Sequence, residues 1–313
     1  MLNPPIKIQK GCKDILPENV TTWQFIEEKA RETFSKAGFK EIRTPIFEAT
    51  ELFQRGVGDT TDIVNKEMYT FEKSERSITL RPENTAGVVR AYIENGMHKL
   101  PTPVKLYYMG PMFRYERPQS GRLREFTQFG VESFGVRNPA LDAEIISMAY
   151  RLISGLGITN LIVKINTLGD KESRLKYNDA IREYLRKDLG NLCDTCKERL
   201  EKNPLRILDC KYDSERDYIK NAPKTIDYLN DESREYYEKV KETLEYLDIP
   251  YKEEPSLVRG LDYYSHTVFE IVTDIEDLGK ANTVCGGGRY DSLVEMLDGP
   301  STPGIGFAIG IER

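Results

Sequence analysis

Two β-forming segments that stand close together limit the folds open to this chain more strongly than anything else in it. They read KLYYMGPMFRYERP (105–118) and REFTQFGVESFGV (124–136), and both are rich in aromatic and β-branched residues. The loop between them is short, polar and contains a glycine. Because short loops join neighbouring strands that run in opposite directions, we expect a mainly antiparallel sheet.

Other segments add helices and strands around this pair. Apolar residues at helical spacing predict a helix over residues 19–37, which Gly38 would end. Pro45 interrupts the β-forming stretch FKEIRTPIFE, which suits an edge or an interface. Before residue 168 the sequence further predicts a hairpin at 68–71 and 77–81, helices at 84–96 and 142–156, and a strand at 160–166.

A highly charged helical block separates these strands from those that follow. It runs from about residue 168 to 250 and includes ESREYYEKVKETLEYL. Strands return at SLVRGLDYYSHTVFEIVT (256–273) and GIGFAIGI (304–311), with a helix near YDSLVEML. We therefore predict an α+β fold, a mainly antiparallel sheet flanked by helices. Its core comprises residues 1–167 and 251–313, and residues 168–250 form an inserted helical domain.

The composition is that of a globular protein. Hydrophobic residues make up 39% of the 313 residues and charged residues 31%. No apolar run reaches membrane-spanning length, and the N-terminus lacks the apolar core of a signal peptide. We therefore expect a cytoplasmic protein without a membrane partner. The net charge of −6 says little about nucleic acid, because binding depends on the local field at a site.

The five cysteines favour a reducing compartment over a disulfide framework. Cys193 and Cys196 form a C-x-x-C pair, and Cys210 follows further along. A zinc ion would need a fourth ligand, and the only histidines, His98 and His266, are far away in sequence. Ordinary reduced cysteines are the favoured interpretation, a structural zinc site is the alternative, and we assign no metal to protein side chains.

Several common active-site signatures are missing. The sequence has no G-x-x-x-x-G-K-[ST] phosphate loop and no strand–GxGxxG–helix fingerprint. With two histidines and no nucleophile elbow, a hydrolytic Ser–His–Asp site is not expected either.

Arginines beside carboxylates and aromatic residues carry the functional signal instead. In FRYERPQSGRLREFTQFGVE the charges alternate with phenylalanines. This pattern suits a pocket for a charged aromatic ligand better than a solvated row of salt bridges. On a strand, Arg114 and Glu116 would share one face. Phe126, Gln128 and, allowing for a bend, Glu132 would also share a face.

Two later segments show a similar character. LVRGLDYYSHTVFE places Arg259 four and five residues before Tyr263 and Tyr264. In CGGGRYDSLVEML, three glycines would let the backbone approach a ligand, and a helix start after them could direct amides at it. A flexible loop is the alternative interpretation of those glycines.

These segments together resemble the class II aminoacyl-tRNA synthetases, and specifically the histidyl-tRNA synthetase family. GFKEIRTPIFE, MFRYERP with REFTQFGVE, and GIGFAIGIER are similar to the three motifs of the class. RGLDYY (259–264) and GGGRYD (286–291) resemble the segments that mark the histidine enzyme, and LRPENTAG (80–87) resembles its substrate loop. The resemblance covers essentially the whole chain, with the motifs in the family's order.

The resemblance implies an enzyme, a histidine–tRNA ligase. Such enzymes join histidine and ATP into histidyl-adenylate, release pyrophosphate, and then transfer histidine to the 3′ end of tRNA(His). The implied ATP-binding residues are Arg114, Glu116, Arg122, Phe126 and Arg313. The implied histidine-binding residues are Glu83, Thr85, Arg114, Gln128, Glu132, Arg259, Tyr263, Tyr264 and Tyr290.

The resemblance also implies roles at the ATP end. Arg114 and Arg259 are the implied catalytic residues, both at the α-phosphate, where a bidentate and permanently charged guanidinium is well suited. Glu116 would meet the adenine amino group, Phe126 would stack on the ring, and Arg313 would contact the γ-phosphate. Mg²⁺ is expected on the β- and γ-phosphates.

At the histidine end, the implied partners of the ring and of the ammonium group differ. Glu132 and Tyr264 are the candidates for the two imidazole nitrogens, and Tyr263 and Tyr290 for the pocket wall. Glu83, Thr85 and Gln128 would accept from the ammonium group.

Larger partners follow from the same resemblance. The acceptor end of tRNA(His) is expected near Arg117, Arg122 and Arg124. The family forms homodimers, with which Trp23, Phe34 and Pro45 are compatible. In the family, a helix and an anticodon-binding domain follow the position of Arg313. We therefore expect this chain to be the catalytic-domain portion without that domain, and to activate histidine less well than a longer parent.

Two alternatives stay open at this point. One is a non-catalytic relative, such as the synthetase-like regulatory subunit of the first enzyme of histidine biosynthesis. Such a protein would have no need for Arg114, Arg259 and Arg313 together. The other is a class II synthetase for a different amino acid, against which RGLDYY and GGGRYD argue.

Overall fold

A computed structural model of the chain describes residues 5–274 and 282–313. Its helices are α1 Pro17–Lys36, α2 Thr50–Val57, α3 Thr85–Glu94, α4 Pro139–Gly155, α5 Lys171–Arg186, α6 Asp194–Lys202, α7 Asp217–Lys220, α8 Asp231–Tyr246 and α9 Leu293–Met296. Its strands are β1 Lys40–Glu41, β2 Phe47–Ala49, β3 Tyr69–Lys73, β4 Arg76–Leu80, β5 Val104–Phe113, β6 Glu125–Phe134, β7 Ile162–Thr167, β8 Tyr251–Glu253, β9 Ser265–Val272, β10 Thr283–Arg289 and β11 Gly304–Gly310.

An eight-stranded sheet forms the centre of the fold, in the order β1-β5-β6-β11-β10-β9-β7-β8. The six inner strands pair antiparallel, and only the two edge strands, β1 and β8, pair parallel with their neighbours. The two segments that opened the sequence analysis form β5 and β6, paired over ten residues. The prediction of an α+β fold with a mainly antiparallel sheet is confirmed.

The long helix α4 covers one face of this sheet. Asn138 caps its start by accepting a hydrogen bond from the Ala140 amide at 2.8 Å, and Pro139 occupies the first turn, where it needs no donor. Apolar residues of α4, such as Ile145 and Leu152, pack with buried sheet residues such as Phe269. The other face is left for α3 and for the turns that follow the helical block.

Phe34 of α1 belongs to the same core. Its side chain is fully buried, and its ring centroid lies 5.4 Å from that of Tyr107 and 6.1 Å from that of Phe307. Within a single chain Phe34 is therefore a core residue and offers no surface to a second copy. Trp23 is partly exposed and Pro45 is exposed.

Residues 168–250 contain helices and turns, from α5 to α8, between strands β7 and β8. Asp170 and Asn230 cap α5 and α8 by accepting hydrogen bonds from the amides of Ser173 and Ser233, each at 2.8 Å. Helix α8 packs against α4 of the core. Whether this block is a separate domain with those boundaries stays a prediction.

One of the predicted strands was wrong in its extent. The strand predicted over 256–273 begins only at Ser265, because the RGLDYY backbone turns aside to other elements: the Asp262 amide donates to Val57 O at 3.0 Å. The β-forming stretch is broken at Pro45 as predicted, and its two short strands each lie at the edge of a different sheet. The three glycines of CGGGRYD lie within β10, which excludes the alternative of a flexible loop, and α9 begins after them at Leu293.

A second sheet, β2-β4-β3, stands beside the large one and contains the predicted hairpin. Among the described helices, none combines the length and the apolar character that crossing a bilayer requires.

Candidate active site

One cavity of about 510 Å³ opens on the sheet face opposite α4, a size typical of small-molecule sites. Its floor is formed by β6, β10 and β11, and its walls by the start of α3, the β5–β6 loop and the RGLDYY turn. All thirteen site residues predicted from sequence line it: Glu83, Thr85, Arg114, Glu116, Arg122, Phe126, Gln128, Glu132, Arg259, Tyr263, Tyr264, Tyr290 and Arg313.

Strand alternation places three of these side chains on the cavity floor. Phe126, Gln128 and Glu132 occupy alternate positions of β6, whose pairing with β11 continues without a bulge from Gln128 to Phe134. The bend allowed for in the sequence analysis is therefore absent. Opposite Glu132 stands Gly306, where a Cβ would lie 2.0 Å from Glu132 Oε2. The glycine of the GIGFAIGI strand makes room for this carboxyl.

Glu132 is the most deeply set acid of the cavity, only 1% exposed. Thr85 Oγ1 donates a hydrogen bond to its Oε1 at 2.7 Å, and the Tyr290 hydroxyl donates to its Oε2. Burial raises the pKa of Glu132 to about 8, opposed by these two hydrogen bonds and reinforced by the nearby charge of Glu83. The carboxyl can therefore change its protonation state near neutral pH.

Glu83 stands at the start of α3. Its two carboxylate oxygens accept hydrogen bonds from the amides of Thr85 and Ala86, at 2.8 and 2.9 Å. Burial raises the pKa of Glu83, and the two amide bonds counteract that rise. The helix start thus fixes the direction of a second acid beside Glu132.

Aromatic rings close this end of the cavity. The Tyr263 ring centroid lies 4.7 Å from that of Tyr264 and 5.6 Å from that of Tyr290, and all three side chains are buried. Beside them, Gln128 Oε1 is buried without a hydrogen-bond partner. An unpaired buried acceptor costs free energy, so a ligand donor would be stabilised there.

The other end of the cavity is cationic. Arg114 lies one residue beyond the end of β5, and its amide donates to Arg124 O at 2.8 Å, which continues the pairing between β5 and β6. Its Nε donates to Pro82 O at 2.7 Å, and its guanidinium carbon lies 5.3 Å from the Phe126 ring centroid. Arg122 pairs with Glu116, with 3.3 Å between nitrogen and oxygen.

Arg259 reaches the cavity floor and forms an ion pair with Glu270 of β9. The second oxygen of Glu270 accepts a hydrogen bond from Thr283 Oγ1 at 2.9 Å. Burial lowers the pKa of Arg259, but the charge of Glu270 and the neighbouring Tyr264 and Cys285 act together to raise that pKa overall. A Cβ on Gly286 would lie 2.1 Å from the Arg259 guanidinium, so the glycine provides the space that this side chain occupies.

Arg313 closes the cationic end. Its Nε donates to Gly121 O in the β5–β6 loop at 3.3 Å, and its Nη1 donates to Thr283 O. Burial lowers the pKa of Arg313, and the neighbouring charge of Arg122 adds to the effect. Cations gathered this closely repel one another, so an anionic ligand would be attracted to the region that they surround.

Other charged residues singled out in the sequence lie outside the cavity lining. Arg124 stacks its guanidinium 3.8 Å from the Tyr115 ring centroid and does not line the cavity. Arg117 is also absent from the lining. Arg289 points to the opposite face of the sheet, where it forms a fully buried ion pair with Asp142 of α4. Arg289 is therefore part of the core, whereas the next residue, Tyr290, lines the cavity.

Several lining residues were missed from sequence: Glu270, Tyr108, Arg206, Asp209 and Lys211. Glu270 stands within the quoted segment LVRGLDYYSHTVFE, and its place on a strand after an arginine is the signal that could have found it. The last three come from the helical block, where no local pattern distinguishes them from solvated charges.

The arrangement joins two chemical environments in one cavity. One end offers buried acids and tyrosine rings, which suit a small cationic or hydrogen-bonding aromatic group. The other end gathers Arg114, Arg122, Arg259 and Arg313, which suit a polyanion such as a triphosphate. A carboxylate bound between them would be held against a phosphorus atom.

Comparison with known sequences identifies the same family as the motifs of the sequence analysis. The family profile described as histidyl-tRNA synthetase matches residues 11–313. The chain is 54% identical over 311 residues to the histidine–tRNA ligase of Staphylococcus haemolyticus (strain JCSC1435), covering 98% of this chain and 74% of that protein. To the histidine–tRNA ligase of Geobacillus sp. (strain WCH70) it is 57% identical over 309 residues, covering 98% and 73%.

Solved structures agree. The apo histidyl-tRNA synthetase of S. aureus superposes with a TM-score of 0.82 at 47% identity, covering 99% of this chain and 72% of that one. An ATP phosphoribosyltransferase regulatory subunit/histidyl-tRNA synthetase from Bacillus halodurans C superposes with a TM-score of 0.71 at 23% identity, which shows a shared fold alone. By its sequence over nearly its full length, this chain belongs to the histidyl-tRNA synthetase family.

Proposed function

We propose that this cavity carries out the histidine–tRNA ligase reaction: activation of L-histidine with ATP, then transfer of histidine to the 3′ end of tRNA(His). The observation that carries the proposal is the location of the buried acid Glu132 at one end of a cavity whose other end gathers four arginines. A histidine side chain and a triphosphate would each meet the environment that suits it.

At the histidine end, the imidazole lies between Glu132 and Tyr264. A neutral imidazole has one donor and one acceptor, and partners of this kind reject side chains that lack the ring nitrogens. Tyr263 and Tyr290 form the wall. Gln128 Oε1, buried without a partner, accepts from the ammonium group together with Glu83 and Thr85.

At the ATP end, Arg114 holds the α-phosphate and the histidine carboxylate together, and Arg259 contacts the α-phosphate. A carboxylate oxygen attacks the α-phosphorus, the bond to the bridging oxygen breaks, and pyrophosphate leaves with the electron pair. Two anions must meet in this step, so preorganised positive charge lowers its barrier. Glu116 and Phe126 hold the adenine, while Arg313 and Arg122 contact the outer phosphates.

Mg²⁺ accompanies ATP in this proposal. The described part of the chain has no group of three or more metal-ligating side chains in this cavity. The ion would be carried by the β- and γ-phosphates of ATP. Its charge would offset that of the departing pyrophosphate.

The acceptor end of tRNA approaches the β5–β6 loop in this proposal. The terminal adenosine hydroxyl attacks the histidyl carbonyl carbon, and AMP leaves. Arg117, Arg122 and Arg124 supply positive charge along this loop, where Gln119 and Arg122 form an isolated β-bridge.

The experiment that tests the proposal is ATP–pyrophosphate exchange with each of the twenty amino acids. We expect exchange with histidine alone. Exchange that depends on another amino acid would contradict the specificity. No exchange from a chain shown by circular dichroism to be folded would contradict the activity and would favour a non-catalytic, regulatory relative.

Association into a homodimer and a cytoplasmic location are further parts of the proposal. Three apolar side chains of the small sheet region are exposed in the single chain: Ile46 (43%), Phe47 (57%) and Phe71 (46%). A second copy would cover such a patch. Light scattering should report a mass near twice that of the chain, and Phe47→Ser should reduce it. The free cysteines fit a reducing compartment.

The division into a catalytic core, 1–167 with 251–313, and an inserted domain, 168–250, is also proposed. Its support is the location of α5 to α8 between β7 and β8. Limited proteolysis that cuts first within 186–230 would support it.

A further inference from the structure

A cluster of three thiols and one carboxylate lies in the helical block, and nothing in the catalytic proposal uses it. Cys193, Cys196, Cys210 and Asp213 place one ligand atom each so that all four lie within 4.8 Å of one another. Among residues 5–274 and 282–313, this is the one such group of three or more potential metal ligands. Cys196, Cys210 and Asp213 are buried, and Cys193 is partly exposed.

The separation of the sulfurs discriminates between a metal site and a disulfide. Cys193 Sγ and Cys210 Sγ lie 3.8 Å apart. A tetrahedral zinc ion with Zn–S bonds near 2.3 Å holds its sulfurs roughly 3.8 Å apart. A disulfide would require about 2.05 Å, and none of the five cysteines is in one.

Asp213 provides the fourth ligand that the sequence analysis sought among histidines. The side chain is fully buried, its Oδ2 accepts a hydrogen bond from the Cys193 amide at 2.9 Å, and its Oδ1 accepts none. Oδ1 lies 3.2 Å from Arg216 Nε, outside hydrogen-bond geometry. Arg216 offsets part of the charge of this buried carboxylate, and Oδ1, which accepts no hydrogen bond, is left to join the three thiols on a metal ion.

The surroundings resemble the outer shell of a metal centre. The Tyr212 amide donates to Cys210 Sγ at 3.5 Å, and the Cys193 amide orients Asp213. Such hydrogen bonds fix the direction of ligands and stabilise charge on them. Thiolate-rich tetrahedral sites select zinc among the common divalent ions.

We propose that Cys193, Cys196, Cys210 and Asp213 bind one structural zinc ion. The four ligands leave no open coordination position, so the ion is structural and takes no part in catalysis. The inference is independent of the proposed catalytic function, because it rests on the four ligands alone.

The zinc would act on the active site by holding a segment of chain. Between the ligands, Arg206 Nη1 donates to Arg259 O at 2.8 Å, and Asn203 Nδ2 donates to Asp262 Oδ1 at 2.9 Å. These bonds hold the RGLDYY turn from the side of the helical block. The zinc fixes both ends of the segment that supplies them, so Arg206 and Asn203 are positioning residues for Arg259.

The test begins with the metal content of the full chain, purified under reducing conditions without chelator. We expect about one zinc per chain by atomic emission. Cobalt added to the metal-free chain should give thiolate-to-cobalt charge transfer and the strong visible bands of a tetrahedral site. Cys193→Ser and Cys210→Ser should reduce the zinc content to below roughly a tenth, and the control Cys12→Ser should retain it.

Asp213→Asn is the milder variant, and it should weaken zinc binding at least tenfold in competition with a chromogenic chelator. If the serine variants do not fold, the zinc content and the cobalt spectrum of the wild-type chain still test the proposal. Less than a tenth of a zinc per chain together with no tetrahedral cobalt spectrum would overturn the proposal. So would a Cys193–Cys210 disulfide found by mass spectrometry after thiol blocking. Full zinc retention in folded Cys193→Ser and Cys210→Ser would overturn it as well.

Discussion

Thr85 Oγ1 donates a hydrogen bond to Glu132 Oε1 at 2.7 Å, and this bond ties the first turn of α3 to the middle of β6. The Tyr290 hydroxyl holds the other oxygen from the far side of the cavity. The acid is thus oriented by two elements that are distant in sequence. Because the Glu132 side chain is already held in one direction without a ligand, it loses little conformational entropy when a ligand binds.

Glu132→Gln tests the cost of burying this acid. The folded-state pKa of about 8 lies above the ordinary value of 4.5, so the stability from this group is fully present below pH 4.5 and is lost as the pH rises through 8. Glutamine does not titrate. The free energy of unfolding of the variant, relative to wild type, should therefore rise from pH 5 to pH 9, by on the order of 3 kcal/mol.

Urea unfolding at several pH values measures this difference. Glu72→Gln, at an exposed position, is the matched control and should follow the wild-type profile. Parallel profiles for wild type and Glu132→Gln would contradict the prediction. The same variant should raise the KM for histidine, because glutamine cannot offer the imidazole an ionisable partner.

Arg259→Ala tests the catalytic assignment. We expect pyrophosphate exchange to slow by a few hundred-fold, about 3–4 kcal/mol, since a charge contact that strengthens in the transition state is lost. Histidine affinity, measured by calorimetry, should change little. An equal loss of binding and of turnover would indicate a substrate ligand or a fold element instead.

The single variant leaves Glu270 without its cationic partner, which by itself could loosen the site. Arg259→Ala combined with Glu270→Gln removes that charge. The double variant should recover stability toward wild type while exchange stays slow. Recovery of exchange would show that Arg259 acts only by neutralising Glu270.

Gly286→Ala tests why the segment CGGGRYD contains glycine. A Cβ at this position would lie 2.1 Å from the Arg259 guanidinium, at the movable end of a long side chain. We expect the fold to persist and the guanidinium to be displaced, so exchange should fall at least tenfold with little change in melting temperature. Gly155→Ala, where a Cβ meets nothing within 4 Å, is the control and should keep wild-type exchange. Full activity in Gly286→Ala would contradict this role.

Strand alternation and the family resemblance together predict, from the sequence, most of the residues that line this cavity. Phe126, Gln128 and Glu132 follow from a period of two along one strand, which depends only on local geometry. Arg206, Asp209 and Lys211 could not be predicted in this way. They reach the cavity through the packing of a helical block against the RGLDYY turn, and no local pattern in the sequence encodes that contact.

The same distinction explains the remaining errors. RGLDYY has the composition of a strand, yet tertiary hydrogen bonds from Arg206 and to Val57 hold it as a turn. Asp213, the fourth ligand of the proposed zinc site, stands three residues after Cys210 and was not considered in the sequence, because the search for a ligand was confined to histidine. Phe34 was compatible with an interface by its spacing alone, and only the fold shows it packed against Tyr107.

The ion pair between Asp142 and Arg289 provides the last prediction. Both side chains are fully buried, and Asp142 Oδ2 also accepts a hydrogen bond from Thr267 Oγ1 at 2.7 Å. Asp142→Ala leaves a buried guanidinium without its main partner. The free energy of unfolding should fall by about 3–5 kcal/mol. The exposed pair of Lys36 and Glu32 is the matched control, and Glu32→Gln should leave the free energy of unfolding almost unchanged.

Replacing both partners separates the fold from the site. Asp142→Leu with Arg289→Met removes both charges and should regain much of the lost stability, since well-packed apolar residues replace buried ion pairs at little net cost. Tyr290 directly follows Arg289, the last residue of β10, and its hydroxyl donates a hydrogen bond to Glu132. If the double variant keeps β10 intact, Tyr290 stays in place and histidine binding should be retained. Urea unfolding and calorimetry with histidine measure the two effects. A stable double variant that no longer binds histidine would show that the ion pair positions Tyr290 and does more than fill the core.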